Sequence, residues 1–276
     1  VSMDRSDPRG RVLEHHRTGT GVRRIGYPIG IRTVRVVRRE RITRNILRLT
    51  VGGPELDGFH TYQADDHVKL VFPDADGTRR LPVVNAHSEL DWPRPLPPAR
   101  KYTIRRYDAE ARELDLDFVL HPGGLAADWA AAARPGDEVA VAGPPGAKAF
   151  AHNYDHYVFA VDATALPATA RWLEESPPDV SARLVIETGD AADHAYPLAA
   201  RAGAQVTWLV RDGARSVLAD AVRSLDLPAG RTFLFAAGES GAIKPLRGWA
   251  RDLAGEGLDA LFTGYWKRGV AGLEDD

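Results

Sequence analysis

The sequence predicts a β + α/β protein, an antiparallel six-stranded barrel followed by a doubly wound parallel sheet. Three observations predict it. From Ile31 to Ala142, short stretches alternate apolar and polar residues between clusters of turn formers, the pattern of half-buried antiparallel strands. From Tyr157 onward the apolar stretches become continuous and alternate with helical segments, as parallel strands covered on both faces do. The chain has 276 residues, more than one compact unit needs. Three segments follow: a flexible leader over 1–30, a barrel over 31–150, and an α/β unit with a C-terminal tail over 151–276.

The leader carries Arg5, Arg9, Arg11, Arg17, Arg23, Arg24, His15 and His16 with no apolar period. A basic arm or a histidine metal site is conceivable there, but a chain that buries nothing is expected to stay mobile. Residues 31–37, 46–51 and 66–72 read as strands, the second closed by Gly52, Gly53 and Pro54 and the third by Pro73 to Gly77. Residues 82–99 are proline-rich around Trp92 and read as a loop. Strands follow at 101–105 and 113–120, then a helix from about Leu125 to Ala133, a stop at Pro135 and Gly136, and a strand over 138–142. In the second half, strands are expected at 157–161, 184–187, 205–210 and 232–237. Helices are expected near 165–175, 191–199, 217–225 and 243–254.

Composition excludes several classes. Hydrophobic residues make up 44% and charged residues 27%, which is globular usage. A net charge of −2 supplies no global field toward nucleic acid or anionic lipid, and neither is expected as a partner. The absence of cysteine removes thiolate zinc sites, cysteine-ligated iron–sulfur clusters and thiol nucleophiles. No stretch reaches the ~20 apolar residues of a membrane span, and residues 1–10 contain no secretory h-region. A cytoplasmic location and a monomer are expected. There is no nucleophile elbow of the Gly-x-Ser-x-Gly type, no zinc-protease His-Glu-x-x-His and no phosphate-binding Walker A loop. No metal site is expected.

Several local features suit a nucleotide-type ligand. Tyr102 alternates with Thr103 and shares a strand face with Arg100 and Ile104, so an aromatic ring stands beside arginine; a cross-strand Tyr–Arg pair is the structural alternative. His121, Pro122, Gly123 and Gly124 join a strand to a helix start, where free amides accept phosphate, unless this is an ordinary turn. Without a Gly-x-Gly-x-x-Gly, the second half is no standard dinucleotide half. Asp162 and Thr164 end its first strand, where ligands bind in open α/β sheets. Arg211 follows the third strand and either meets a ribose 2′-phosphate or is solvated. Glu239 ends the fourth and either serves the site or stabilises the next helix dipole.

These residues carry a resemblance. Arg100, Tyr102, Thr103 and Arg105, the run Asp117 to His121, Trp129, Gly136 with Asp137, and Gly143 to Gly146 resemble the flavin domain of the siderophore-interacting protein family. Arg48, Gly53 with Pro54, and Asp66 to Leu70 look like that domain's opening strands. Ala163 to Ala168, Trp208 with Arg211, Ala237 to Glu239, and Gly264 to Gly269 look like the family's second domain. The match runs in order from about Ile31 to Gly272, and the vibriobactin-utilisation branch of the ferredoxin–NADP reductase-like superfamily is the most similar. Many members have Asp-Glu-Thr where this chain has Asp162, Ala163 and Thr164, and Gly-Pro where it has Gly124 and Leu125.

The resemblance implies an FAD-dependent ferric-siderophore reductase using NADPH or NADH. By analogy, Tyr102 packs on the isoalloxazine and Thr103 lies near its reactive edge. Arg100 or Arg105 meets the pyrophosphate with amides of Gly124, Leu125 and Ala126. His67, Lys69, Val119, Leu120, His121 and Trp129 line or support the flavin. Asp162, Thr164, Arg211 and Glu239 are the nicotinamide nucleotide candidates. Lys267, then Arg247, are the candidates for holding an anionic ferric siderophore. No acid–base pair is needed, because electron transfer through a flavin carries the reaction. A general flavin reductase, an electron-transfer flavoprotein of the same fold, and a siderophore-binding flavoprotein with little turnover are the alternatives.

Overall fold

The computed structural model describes residues 3–213 and 215–271; the tail beyond Ala271, including Gly272, lies outside the described residues. It divides into two compact units. One holds residues 3–13 and Arg23–Ala149, the other Glu14–Val22 and the chain from Phe150.

The leader is structured. Pro8–Thr18 forms helix α1 and Val22–Gly26 forms strand β1. Val12, Ile25 and Tyr27 are fully buried with Ala147 and Ala149. The expectation of a mobile leader fails because its few apolar residues are spaced too irregularly to show a period, yet each finds a buried place. The Tyr27 hydroxyl donates to Asp66 Oδ2 at 2.9 Å. Of the two leader histidines, His16 stacks on His152 at 3.9 Å and His15 lies 3.3 Å from the Gly21 carbonyl oxygen. Among the described residues, no group of three His, Asp or Glu is placed to hold a metal.

The barrel is built from β2 (Ile31–Arg41), β3 (Ile46–Gly52), β4 (His67–Val71), β7 (Ala99–Thr103), β8 (Arg106–Asp108), β9 (Glu113–Val119) and β10 (Glu138–Ala142). The two-residue strands β5 (Val83–Val84) and β6 (Leu90–Asp91) make a small hairpin inside the stretch expected to be all loop. The sheet order is β7-β4-β10-β2-β3-β9-β8. Two residues separate β7 from β8, so the ends of this order are one bent strand. The Arg105 N–H donates to the Asp115 carbonyl at 3.0 Å and carries the ladder round the bend. Counted this way, six strands close on themselves and leave no edge.

Alternation places Val34, Val36, Leu47, Leu49, Val51, Val68, Leu70, Leu114, Leu116, Phe118, Val139 and Val141 inside. Helix α2 (Leu125–Ala132) packs Ala126, Ala130 and the Trp129 ring on that core. On the barrel wall, Arg48 clamps Asp117 through two bonds of 2.6 and 2.8 Å. Strand β11 (Gly146–Phe150) pairs with β1.

The second unit is a five-stranded parallel sheet in the order β14-β13-β12-β15-β16. Its strands are β12 (His156–Asp162), β13 (Ser181–Thr188), β14 (Ala204–Val210), β15 (Thr232–Glu239) and β16 (Leu258–Trp266). Strand β16 has no counterpart among the expected strands, because Asp259, Thr263 and Gly264 break any simple apolar run. The helices are α3 (Leu166–Glu175), α4 (Leu218–Arg223) and α5 (Ser240–Asp252); the helix expected at 191–199 is one 3-10 stretch, Ala191–Ala195. Helices cover both faces. Tyr157 and Phe159 meet the buried Trp172 of α3 at 4.9 and 4.5 Å, while Val158 and Ala160 pack on the α4–α5 side. No helix is long and apolar enough to cross a membrane, among the described residues.

Two expectations follow. Val12→Ala removes two buried methyl groups and lowers stability by about 1–2 kcal/mol, read as a drop in melting temperature; an unpacked leader leaves melting unchanged. Asp65 is buried beside Asp66, and burial, then the Asp66 charge, pushes its carboxyl up to about 7. Its folded value lies above its unfolded one, so its protonated form favours folding, and stability is lost as pH rises from about 4 to about 7. Asp65→Asn therefore gains on wild type across that window and the difference levels above it, as denaturant unfolding at stepped pH will measure.

Candidate functional site

In the barrel unit, the β4–β7 ladder pairs His67 with Thr103, Val68 with Tyr102, Lys69 with Lys101 and Leu70 with Arg100. Val68 and Leu70 are core residues, so Tyr102 and Arg100 share the inner face, and His67, Lys69 and Thr103 share the outer one. The Tyr102 ring lies 4.2 Å from Phe118, and burial pushes its phenol up. Lys69 Nζ sits 5.0 Å over the Trp92 ring.

Tyr102 and Leu120 pack on the same barrel core as Trp129 of α2, and Val119 to His121 lead from the end of β9 (Glu113–Val119) into the turn before that helix. Gly124 is the N-cap of α2 and, having no side chain, leaves the first-turn amides without a side-chain acceptor. Gly123 adopts φ +77°, which only glycine accepts freely, and the space a Cβ would fill there is open. His121 is exposed, with its ring folded over Gly124. Trp129 supports from below, 6.0 Å from Phe118. Arg105 lies past the end of β7 and is buried.

These residues fit FAD. Uncapped amides beside an open glycine suit a pyrophosphate, and the Tyr102 ring suits a flat heterocycle.

In the α/β unit, strand order reverses between β12 and β15, the place where open sheets of this type bind ligands. Asp162 and Glu239 end those strands. Asp162 is buried and accepts four bonds: Oδ1 takes the Thr164 N–H and hydroxyl, and Oδ2 takes the Glu239 N–H and the Trp266 indole N–H, both at 2.8 Å. Burial pushes its carboxyl up against the pull of these donors. Thr164 is thus committed to Asp162. Glu239 Oε2 caps α5 by accepting the Ala242 N–H at 2.7 Å, the helix-stabilising alternative. Burial raises Glu239, but the Arg268, Gly241 and Ala242 amides and the Arg211 charge outweigh it and hold the carboxyl below its usual value.

Arg211 is not solvated. It donates to the fully buried Glu187 at 2.7 and 2.8 Å. Glu187 Oε1 also accepts from Ser216 Oγ and from the Val217 and Leu218 amides. The Arg211 and Arg268 guanidinium groups each lie 5.9 Å from the centre of the Trp266 ring. Glu187, Trp266 and Arg268 were not singled out by the sequence; a glutamate closing an apolar strand and an aromatic between glycine and lysine were the available signals. Lys267 is exposed just beyond β16, whereas Arg247 lies 4.9 Å over Phe262, five residues back along the strand. The two basic side chains stand apart and form no single cluster.

Both units match known proteins. Residues 35–148 match the siderophore-interacting FAD-binding domain, and residues 154–269 match the siderophore-interacting protein family. The chain is 34% identical over 253 residues to the ferric vibriobactin reductase ViuB of Vibrio cholerae, covering 88% of this chain and 90% of that protein. It is 34% identical to an NADPH-dependent ferric-chelate reductase of Escherichia coli, over 81% of this chain and 87% of the other. A crystal structure of a siderophore utilization protein from T. fusca superposes with a TM-score of 0.84 at 39% identity, covering 92% of this chain and 98% of that one.

If the α2 turn holds the FAD pyrophosphate, Arg100→Ala lowers FAD affinity about ten- to hundredfold, the worth of a charge-assisted bond. Flavin-to-protein ratio after dialysis measures it; full retention would place the phosphates elsewhere.

Proposed function

Because the chain belongs to the siderophore-interacting protein family, we propose that it is an FAD-dependent ferric-siderophore reductase. It takes electrons from NADPH or NADH and delivers them singly to Fe(III) held by an anionic siderophore, releasing Fe(II). The observation that carries the reading is the uncapped start of α2 beside the open Gly123, with Tyr102 joined to that helix through Phe118 and Trp129. A ferric ion held by hard oxygens is released when it becomes the softer Fe(II), so reduction unloads the ligand without destroying it.

When bound, FAD links the two-electron chemistry of a nicotinamide to the one-electron chemistry of iron. The protein's own work is binding and orientation. Amides at Gly124 to Ala126 and the Arg100 guanidinium hold the diphosphate. Tyr102, backed by Phe118 and Trp129, fixes the plane of the ring. His67 and Thr103 sit side by side at the end of the β4–β7 ladder, where the ring edge is set by our assignment. Exposed Lys267 attracts the anionic iron complex, and this attraction weakens with salt. We place the reaction in the cytoplasm, after siderophore uptake.

The purified protein is expected to show flavin absorbance that bleaches anaerobically with NADPH or NADH and returns on adding ferric siderophore, with Fe(II) trapped by a ferrous chelator. Flavin that bleaches and reoxidises only with free flavin as acceptor would make this a general flavin reductase. Lys267→Ala is expected to raise KM for the ferric siderophore about three- to tenfold at low salt with FAD content unchanged; lost flavin with unaltered KM overturns that role.

A further inference from the structure

Strand β2 carries a bulge. Val36 lies opposite Val51 of β3, but Arg38 then lies opposite Thr50 and Arg39 opposite Leu49, so Val37 is an extra residue. Val51 and Leu49 belong to the barrel core, and directly paired residues share a face. Without the extra residue, Arg38 would stand opposite Leu49. With it, that place passes to Arg39, and Arg38 pairs with Glu113 at 2.7 Å instead. Re-aiming one side chain in this way is a recurrent use of bulges.

Arg39 is aimed at the end of α2. Its guanidinium donates to the Ala133 carbonyl at 3.1 Å and to the Ala131 carbonyl at 3.3 Å. The last carbonyls of a helix have no partner inside it, and α2 has no basic residue in its own last turn. A cation at this end also complements the helix dipole. The segment after α2 is fastened to the same strand on the other side of the bulge. The Gly136 N–H donates to the Val36 carbonyl, and the Val36 N–H to the Asp137 carbonyl, both at 2.8 Å. The bulge therefore sits between two attachments of α2 to β2.

The opposite end of α2 has no such fastening, because Gly124 offers its first turn no side-chain bond. The helix has eight residues, a rod of about 12 Å, so a tilt at its last turn carries to its first. We propose that Arg39 is a positioning residue for FAD: by holding the last carbonyls of α2, it fixes the direction in which the uncapped first-turn amides meet the diphosphate. Arg39 acts through the helix and makes no contact with the cofactor. The inference rests on the reading above, in which that helix start holds the FAD diphosphate.

The test is a fluorescence titration of the whole chain, freed of flavin, with FAD and with riboflavin, which lacks the diphosphate. Wild type is expected to hold FAD more tightly. Arg39→Ala is expected to weaken FAD about three- to tenfold and to leave riboflavin within about twofold. Arg39→Lys, a point charge that reaches one carbonyl at a time, is expected to recover part of the loss. Arg38→Ala removes the same charge one residue away and is expected to change neither constant. A wild type that holds both flavins equally overturns the diphosphate assignment and the inference with it. A preference for FAD that Arg39→Ala leaves unchanged overturns the inference alone, as does an equal loss for both flavins or an equal loss in Arg38→Ala. Arg39 is exposed, so its substitution opens no core cavity, and thermal melting of each flavin-free variant checks that it is folded.

Discussion

Buried strand ends carry backbone N–H groups that must find acceptors, and this protein supplies them with carboxylates. Asp162 joins the ends of β12, β15 and β16 through the Glu239 amide and the Trp266 indole. Glu187 gathers Arg211, Ser216 and the start of α4. In the barrel unit, Asp66 Oδ2 collects the Tyr27 and Thr61 hydroxyls and the Tyr62 and Gln63 amides just ahead of β4. Each carboxylate is a node for several elements distant in sequence. Removing any one strands several buried donors at once, which costs far more than one surface ion pair contributes.

The same economy explains the arginines. The chain has 36 basic residues and only five are lysine. Many of the arginines are structural clamps: Arg48 on Asp117, Arg80 on Asp74, Arg106 on Asp115, Arg171 on Glu175 and Arg211 on Glu187. The planar fork that makes arginine a good phosphate reader also makes it a good partner for a buried carboxylate. An arginine at the end of a strand is therefore ambiguous in sequence. The position of the nearest acid, here 24 residues upstream of Arg211, decides between the two uses.

This ambiguity marks where sequence reading stopped. The barrel and the parallel sheet were legible because hydrophobic period is a local property. The α2 turn was legible as a turn because two glycines after a strand mark a break before the next helix. The leader was not, since Val12, Ile25 and Tyr27 are buried by contacts that no local period reveals. Strand β16 was hidden by its glycine and its acid. Arg105 lies past the bend that ends β7 and is buried, which strand alternation alone does not reveal. Asp162 and Thr164 stand at the end of β12 and bond to one another, and Asp162 also accepts the Trp266 indole N–H, a network that no local pattern reveals.

The two units treat anions in opposite ways. At α2 the helix start has no side-chain cap and Gly123 leaves open space, so its amides are available to an outside anion once the His121 ring over Gly124 gives way. At the switch point of the parallel sheet, Asp162, Glu187 and Glu239 already occupy the corresponding amides, and an incoming phosphate must rely on side-chain cations. That asymmetry matches the kinetic roles of the two ligands. A resident cofactor gains from every preorganised donor. A donor nucleotide has to leave after each reaction, and binding it no more tightly than its working concentration requires keeps its release fast. Filling the helix starts with the protein's own carboxylates is a structural means to that end.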